Sequence, residues 1–358
     1  MTKITLPPGS KILIVNIAGI GDQVMSLPAL NALHTLYPES EISLLSLTRS
    51  KGLLKGIEYI KNIYELDIIY EKQFSYVTRS NIKLLFRLRK EKFAMAINLE
   101  GISSFAGKLK ISLLFKLIGP RIWVGRNTFG RGRFYDVKID EVYSQGRHTV
   151  DSMMDILVAL GFEPHQAVAL ELPVSDEDKK LAAAFLDKKN IPTDHIIVGF
   201  NPNAYRPSRQ WDIPRWIDLG NKILENPGIH ILITGGRSDM DRINTILKGI
   251  NNKSLVTFAD ISLDLLPALL QRMDLFVTND TGPMHIAAAV GTSIVALFGP
   301  GDVRRYRPYG EHKKIKLIRA DSSCTGPCYK HYCADPECML KISVDDVYNA
   351  VKAMLPLR

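Results

Sequence analysis

Several signatures are missing from the sequence, and each absence removes a class of function. No uncharged apolar run reaches the roughly 18 residues that a membrane-crossing helix needs. The most lipid-like stretch, Leu109 to Ile118, is short and carries Lys110 and Lys116. Residues 1–11 lack the apolar core of a secretory signal, so a cytoplasmic location is expected. There is no H-x-x-x-H ligand pair, and a catalytic metal is not expected. The glycine-rich turn after the first strand-like run has no third glycine, since Val24 stands there, which argues against a nicotinamide oxidoreductase. Aromatics are few at 8% and are not interleaved with the basic residues, so the case for single-stranded nucleic acid is weak.

What remains is an ordinary globular composition, 46% hydrophobic and 23% charged, in 358 residues. That length predicts two domains of roughly 160 to 180 residues. The net charge of +9 is uneven: residues 72–147 hold 16 Lys or Arg against 5 Asp or Glu, and the rest of the chain is slightly acidic. The partner of that segment is expected to be anionic, unless the charge is only a solvated face.

Short runs rich in Ile, Val and Leu alternate with helical segments, the pattern of βαβ units around a parallel sheet. It occurs twice. Strands are expected at 11–17, 41–47, 65–69 and 94–99, then at 195–201, 229–234, 254–258, 275–279 and 293–298. Helices are expected at 23–37, 81–91, 176–189, 214–225 and 344–354. The fold class is therefore α/β, with two doubly wound Rossmann-like domains at 1–172 and 173–342, and a final helix in 343–358 that could pack across either. In such sheets ligands bind at the carboxyl ends of the strands, so the default site is a cleft between the domains.

The first strand-like run ends in Gly19-Ile20-Gly21-Asp22 ahead of a helix. The two glycines permit a tight turn, and Asp22 either projects from the strand end or simply caps the helix. In the second half, Asp280-Thr281-Gly282-Pro283-Met284-His285 runs from a strand into a helix closed by Gly291. Pro283 suits the first turn and Thr281 or Gly282 the cap, so the helix start offers backbone N–H groups to phosphate. His285 adds a donor or merely packs. Two more loops end neighbouring strands: one holds Asn203, Arg206 and Arg209, the other Gly235, Gly236 and Asp239. The two cations suit a diphosphate, and Asp239 suits ribose hydroxyls.

All four cysteines, Cys324, Cys328, Cys333 and Cys338, fall within one loop. Their spacing, C-x3-C-x4-C-x4-C, admits a structural zinc, disulfides or free thiols, and a cytoplasmic chain disfavours the disulfides.

Taken together, Gly19 to Asp22 with Leu27-Pro28-Ala29-Leu30, Asn201 to Ala204, Arg209-Gln210-Trp211, Thr234 to Gly236, Asp280 to Ala289 and Leu297-Phe298-Gly299-Pro300 resemble the bacterial lipopolysaccharide heptosyltransferases of glycosyltransferase family nine. The resemblance implies a GT-B architecture. It also implies transfer of heptose from ADP-heptose to a Kdo or heptose acceptor of the lipopolysaccharide core, with inversion and no catalytic metal. On that resemblance Asp22 is the general base. Arg209 stands where Lys is common near the donor phosphates, Asp239 where Glu is common near the ribose, and Asn203 where a Gly is usual. Gly19, Gly21, Arg87, Arg89, Lys90 and Lys92 are expected to serve an anionic lipid-linked acceptor at the cytoplasmic membrane face, where the protein would be peripheral. A non-catalytic sugar-nucleotide-binding protein and a transferase using another nucleotide sugar are the alternatives.

Overall fold

A computed structural model describes residues 4–48, 52–67, 78–141, 146–163, 169–324, 327–328 and 330–355. The chain divides into two compact units, Met1–Ala169 and Leu170–Arg358.

The first unit contains β1 (Lys11–Val15), α1 (Ile20–Met25), α2 (Leu27–Leu36), β2 (Glu41–Leu47), β3 (Ile60–Leu66), α3 (Arg79–Lys90), β4 (Met95–Asn98), α4 (Phe105–Ile118), β5 (Ile122–Thr128), β6 (Val137–Glu141) and α5 (Thr149–Ala159). Its strands form one sheet in the order β3-β2-β1-β4-β5-β6, and every neighbouring pair is parallel. Leu13, Val15, Leu45 and Ala96 on one sheet face meet Leu88 of α3 and Ile111, Phe115 and Ile118 of α4 in a single core.

The second unit contains α6 (Asp176–Lys188), β7 (Ile196–Asn201), α7 (Ile213–Leu224), β8 (Ile229–Thr234), α8 (Met240–Gly249), β9 (Val256–Ala259), α9 (Leu266–Leu270), β10 (Leu275–Asn279), α10 (Gly282–Ala289), β11 (Ile294–Leu297), α11 (Val303–Tyr306), β12 (Ile315–Ile318), α12 (Glu337–Leu340) and α13 (Val344–Met354). Its sheet, β12-β11-β10-β7-β8-β9, is also parallel throughout. Counted from its own first strand, it repeats the order of the first. The final helix belongs to this unit: Val347, Ala350 and Val351 pack in the same core as Trp216 and Leu219 of α7.

Both sheets have the strand order of dinucleotide-binding domains, in which ligands sit at the carboxyl ends where the strand order reverses. Those reversals lie between β1 and β4 and between β7 and β10.

Three expectations shift. The helix expected over 23–37 starts at Ile20 and breaks at Ser26, because Pro28 has no N–H to donate and takes the second position of a new helix. The strand expected at 65–69 starts at Ile60 and ends at Leu66, and residues 68–69 lie outside the described ones. Strands β5, β6 and β12 were not anticipated, since IWVGRNT, VKIDE and IKLI lack a sustained apolar run.

Candidate active site

In the first unit the turn after β1 is built around Asp22. Gly19 caps α1, and its N–H donates to Asp22 Oδ2 at 3.2 Å. The side-chain amide of Asn16 donates to the Asp22 carbonyl at 3.3 Å, and that of Gln23 donates to the Asn16 carbonyl. Asp22 thus fills the capping role expected of it, while its half-buried carboxylate lies at the carboxyl end of β1. A carboxylate has about four acceptor positions, so the bond to the Gly19 N–H does not by itself exhaust them.

Along the same edge of the sheet lies a buried polar row that the sequence did not advertise. Asn98, the last residue of β4, donates to the Tyr135 hydroxyl at 2.9 Å and to the Glu100 carbonyl at 2.8 Å. Arg126 near the end of β5 pairs with Glu141 at the end of β6 at 3.1 Å, and Thr128 donates to the same carboxylate at 2.7 Å. Arg126, following the short apolar triplet Ile122-Trp123-Val124, was the one sequence signal available for this pair.

The structure does not bring Arg87, Arg89, Lys90 and Lys92 to that edge. In a parallel sheet α3 runs back from the carboxyl end of β3 to the amino end of β4, so its last turn lies at the opposite edge from Asp22. There Arg89 donates to the Lys116 and Leu117 carbonyls at the end of α4, at 3.4 and 3.0 Å. The Arg87 guanidinium lies 5.2 Å from the centre of the Tyr64 ring.

In the second unit the three anticipated loops do converge. The loop after β7 is fixed by Asn279, the last residue of β10, whose amide donates to the Pro202 carbonyl at 2.8 Å and whose Oδ1 accepts from the Trp211 N–H at 3.2 Å. Arg242 of α8 clamps the same two ends, donating to the Pro202 carbonyl at 3.0 Å and to the Trp211 carbonyl. Burial lowers the pKa of Arg242 from the usual arginine value. Neither residue was singled out from the sequence, because each acts on a loop distant along the chain.

Arg209, in the turn Pro207–Arg209, reaches across to Asp280 and pairs with it at 2.7 Å. Asn203 sits buried against the end of β8, where a Cβ on Gly235 would lie 2.7 Å from its amide nitrogen. Asp239 Oδ2 accepts from the Gly236 N–H at 2.9 Å, repeating the Gly19–Asp22 arrangement in the second unit. Arg206 is half-buried ahead of the Arg209 turn.

Thr281 precedes α10 in extended conformation, no side chain caps the helix, and Pro283 occupies its first turn. The backbone N–H groups and positive dipole end at the helix start are the features that hold phosphate oxygens. Met284 and His285 are buried in the same turn, so their side chains take part in packing the helix start. Gly301, after β11, packs directly against the Asp280 carboxylate: a Cβ there would fall 2.2 Å from Asp280 Oδ2.

All four cysteines are free thiols, and no three metal-ligating side chains come together among the described residues. Cys338 is buried in α12 beside Gly299, and Cys333 Sγ donates to the Asp335 carbonyl at 3.1 Å. Burial raises the pKa of the Cys338 thiol, and Cys324 and Cys333 lie near enough to add to that rise. Their loop docks on the β7 loop, with the Ser208 hydroxyl donating to the Lys330 carbonyl at 2.7 Å.

Comparison with known proteins places these features in a wider set. The model of glycosyltransferase family 9 (heptosyltransferase) matches residues 82–336. Lipopolysaccharide heptosyltransferase 3 of Escherichia coli is 23% identical over 299 residues, which cover 82% of this chain and 84% of that protein. The structure is similar to that of the E. coli ADP-heptose lps heptosyltransferase II, with a TM-score of 0.76 at 21% identity over 96% of this chain and 98% of the other. A family 9 glycosyl transferase from Veillonella parvula DSM 2008 gives a TM-score of 0.79, also at 21% identity, over 96% of this chain and 97% of the other.

Proposed function

Since the chain belongs to glycosyltransferase family 9, the heptosyltransferases, we propose that it moves a heptose from ADP-heptose to a Kdo or heptose of the lipopolysaccharide core, with inversion and without a catalytic metal. The observation that carries this reading is the uncapped start of α10 at the strand-order reversal, with Arg209 held beside it on Asp280. That arrangement suits the diphosphate of a nucleotide sugar.

In this reading Asp22 takes the proton of the acceptor hydroxyl. The acceptor oxygen then attacks the anomeric carbon from the face opposite the diphosphate, and the bond from that carbon to the phosphate oxygen breaks. The anomeric centre inverts, and ADP leaves with the bonding pair. The developing charge is met by the backbone N–H of Gly282 at the start of α10 and by the Arg209 guanidinium, fixed donors of the kind that stabilise a transition state. Asp239, positioned by Gly236, faces the ribose hydroxyls, and Asn203 sets the loop between them. This division of labour needs no metal to neutralise the diphosphate.

The test is a transfer assay with ADP-heptose and a lipid-free core acceptor in EDTA, with product stereochemistry read by NMR. ADP release and an inverted linkage support the proposal. Transfer that appears only on adding Mg2+, or retention at the anomeric carbon, overturns it.

A further inference from the structure

Helix α4 is apolar on both sides. Its inner face, Ile111, Phe115 and Ile118, lies in the core of the first unit. Its outer face carries Phe105, Leu109, Leu113 and Leu117 at successive intervals of four residues, exposed by 75%, 63%, 52% and 43%. The stripe does not end with the helix. Helix α3 packs beside α4 on the same sheet face, linked through Arg89 and the Leu117 carbonyl, and exposes Ile82 and Phe86. A helix that is apolar all round is normally buried or in contact with lipid, and scattered exposed leucines do not form such a row.

The charges around the stripe say what covers it. Helices α3 and α4 contain eight Lys or Arg and no Asp or Glu. A second copy of this face would set eight cations against eight, so self-association is opposed. An anionic bilayer reverses that sign, accepts an apolar row without a matching pocket, and lets the lysine stems reach the headgroups.

The geometry points to the outer face of α3 and α4 as a membrane-docking surface, with the α4 stripe set at the boundary between headgroups and acyl chains of an anionic bilayer. Because α4 runs from the carboxyl edge of the sheet to the amino edge, this pose lays both edges of the first unit along the interface, including the one that holds Asp22. The inference deepens the proposed function, since a lipid-linked acceptor would reside there, but it rests on exposure and charge alone. It also gives the basic segment a role away from the site.

Flotation of the full chain with phosphatidylcholine vesicles, and with the same vesicles containing 30% phosphatidylglycerol as a chosen test composition, separates the terms. The wild type is expected to float with the anionic vesicles only. Each cation removed should weaken binding about fivefold at low salt, so Lys108→Gln, Lys110→Gln and Lys116→Gln together should cost on the order of a hundredfold, and much less at high salt. Phe105→Ser, Leu109→Ser and Leu113→Ser should each cost roughly tenfold at either salt. These exposed positions leave the fold intact, and ADP affinity and turnover on a lipid-free acceptor should not change. A wild type that stays unbound, a triple serine variant that floats as well as the wild type, or a lipid-free dimer that this variant disrupts would overturn the inference. Activity on the lipid-free acceptor is unaffected by any of these outcomes and judges the proposed function separately.

Discussion

Arg209 and Asp280 form an ion pair at 2.7 Å that joins the loop after β7 to the end of β10, the two strands between which the order of the second sheet reverses. The side chain of Asp280 is 4% exposed and that of Arg209 17%. The cation anticipated as a free partner for phosphate is thus held in place by a buried carboxylate. The carboxylate fixes where the guanidinium points before any ligand arrives, and preorganisation of this kind avoids an ordering cost on binding.

Removing one partner weakens the hold on the other. Arg209→Ala should destabilise the protein by about 3 kcal/mol, because the buried Asp280 carboxylate loses the cation at 2.7 Å that offsets its desolvation. The same change should weaken ADP by ~1.5 to 3 kcal/mol. Adding Asp280→Asn should restore much of the stability and none of the ADP affinity. Thermal melts and ADP titrations across the double-mutant cycle check this, and a second change that restores both would place Arg209 outside the ligand site.

Asp22→Asn isolates catalysis from capping. The Asn oxygen can still accept from the Gly19 N–H, so the turn and the melting temperature should persist. Turnover should fall by at least ~100-fold, the scale of a general base. Retained activity would reduce Asp22 to its capping bond.

Gly301→Ala tests the packing against the Arg209–Asp280 pair of the second unit. The added methyl group would meet Asp280 Oδ2 at 2.2 Å, and a carboxylate is too short to swing clear. Asp280 and Arg209 should both shift, and ADP affinity should fall at least tenfold. An unchanged titration would show that the pair yields to the added methyl without losing the ligand.

His230 supplies a pH dependence unrelated to catalysis. Burial, and secondarily repulsion from His195, lowers its pKa to about 4, and Nε2 lies 2.9 Å from Thr257 Oγ1. The unfolded chain takes up a proton near pH 6.5. The stabilising contribution is therefore complete above that pH and is lost as pH falls toward 4, by up to roughly 3 kcal/mol. Urea denaturation at pH 7 and 4.5 should show a smaller loss for His230→Gln than for the wild type, and equal losses would refute the assignment.

The sequence by itself determined the central strands and the loops that end them. Ile229–Thr234 and Leu275–Asn279 were legible because a strand covered on both faces of a parallel sheet is a nearly continuous apolar run. The turn into α10 was legible because Pro at a helix start and Gly after its end have local conformational causes. The strands β5, β6 and β12 were not, since β6 and β12 are edge strands with mixed exposure and β5 carries Arg126.

Only the tertiary structure decided where the charges went. Composition marked residues 72–147 as basic, but the crossover through α3 carried Arg87, Arg89, Lys90 and Lys92 to the edge opposite Asp22. Likewise, Arg209 read with Arg206 as one of two cations for a diphosphate until β7 and β10 paired and set Asp280 beside it. Arg242 and Asn279 could not be assigned as clamps of the Pro202–Trp211 loop from local pattern, because their partners lie 31 to 77 residues away. Local sequence fixes backbone preference and burial over a few residues, whereas a charge acquires its partner only when strand pairing closes those long loops.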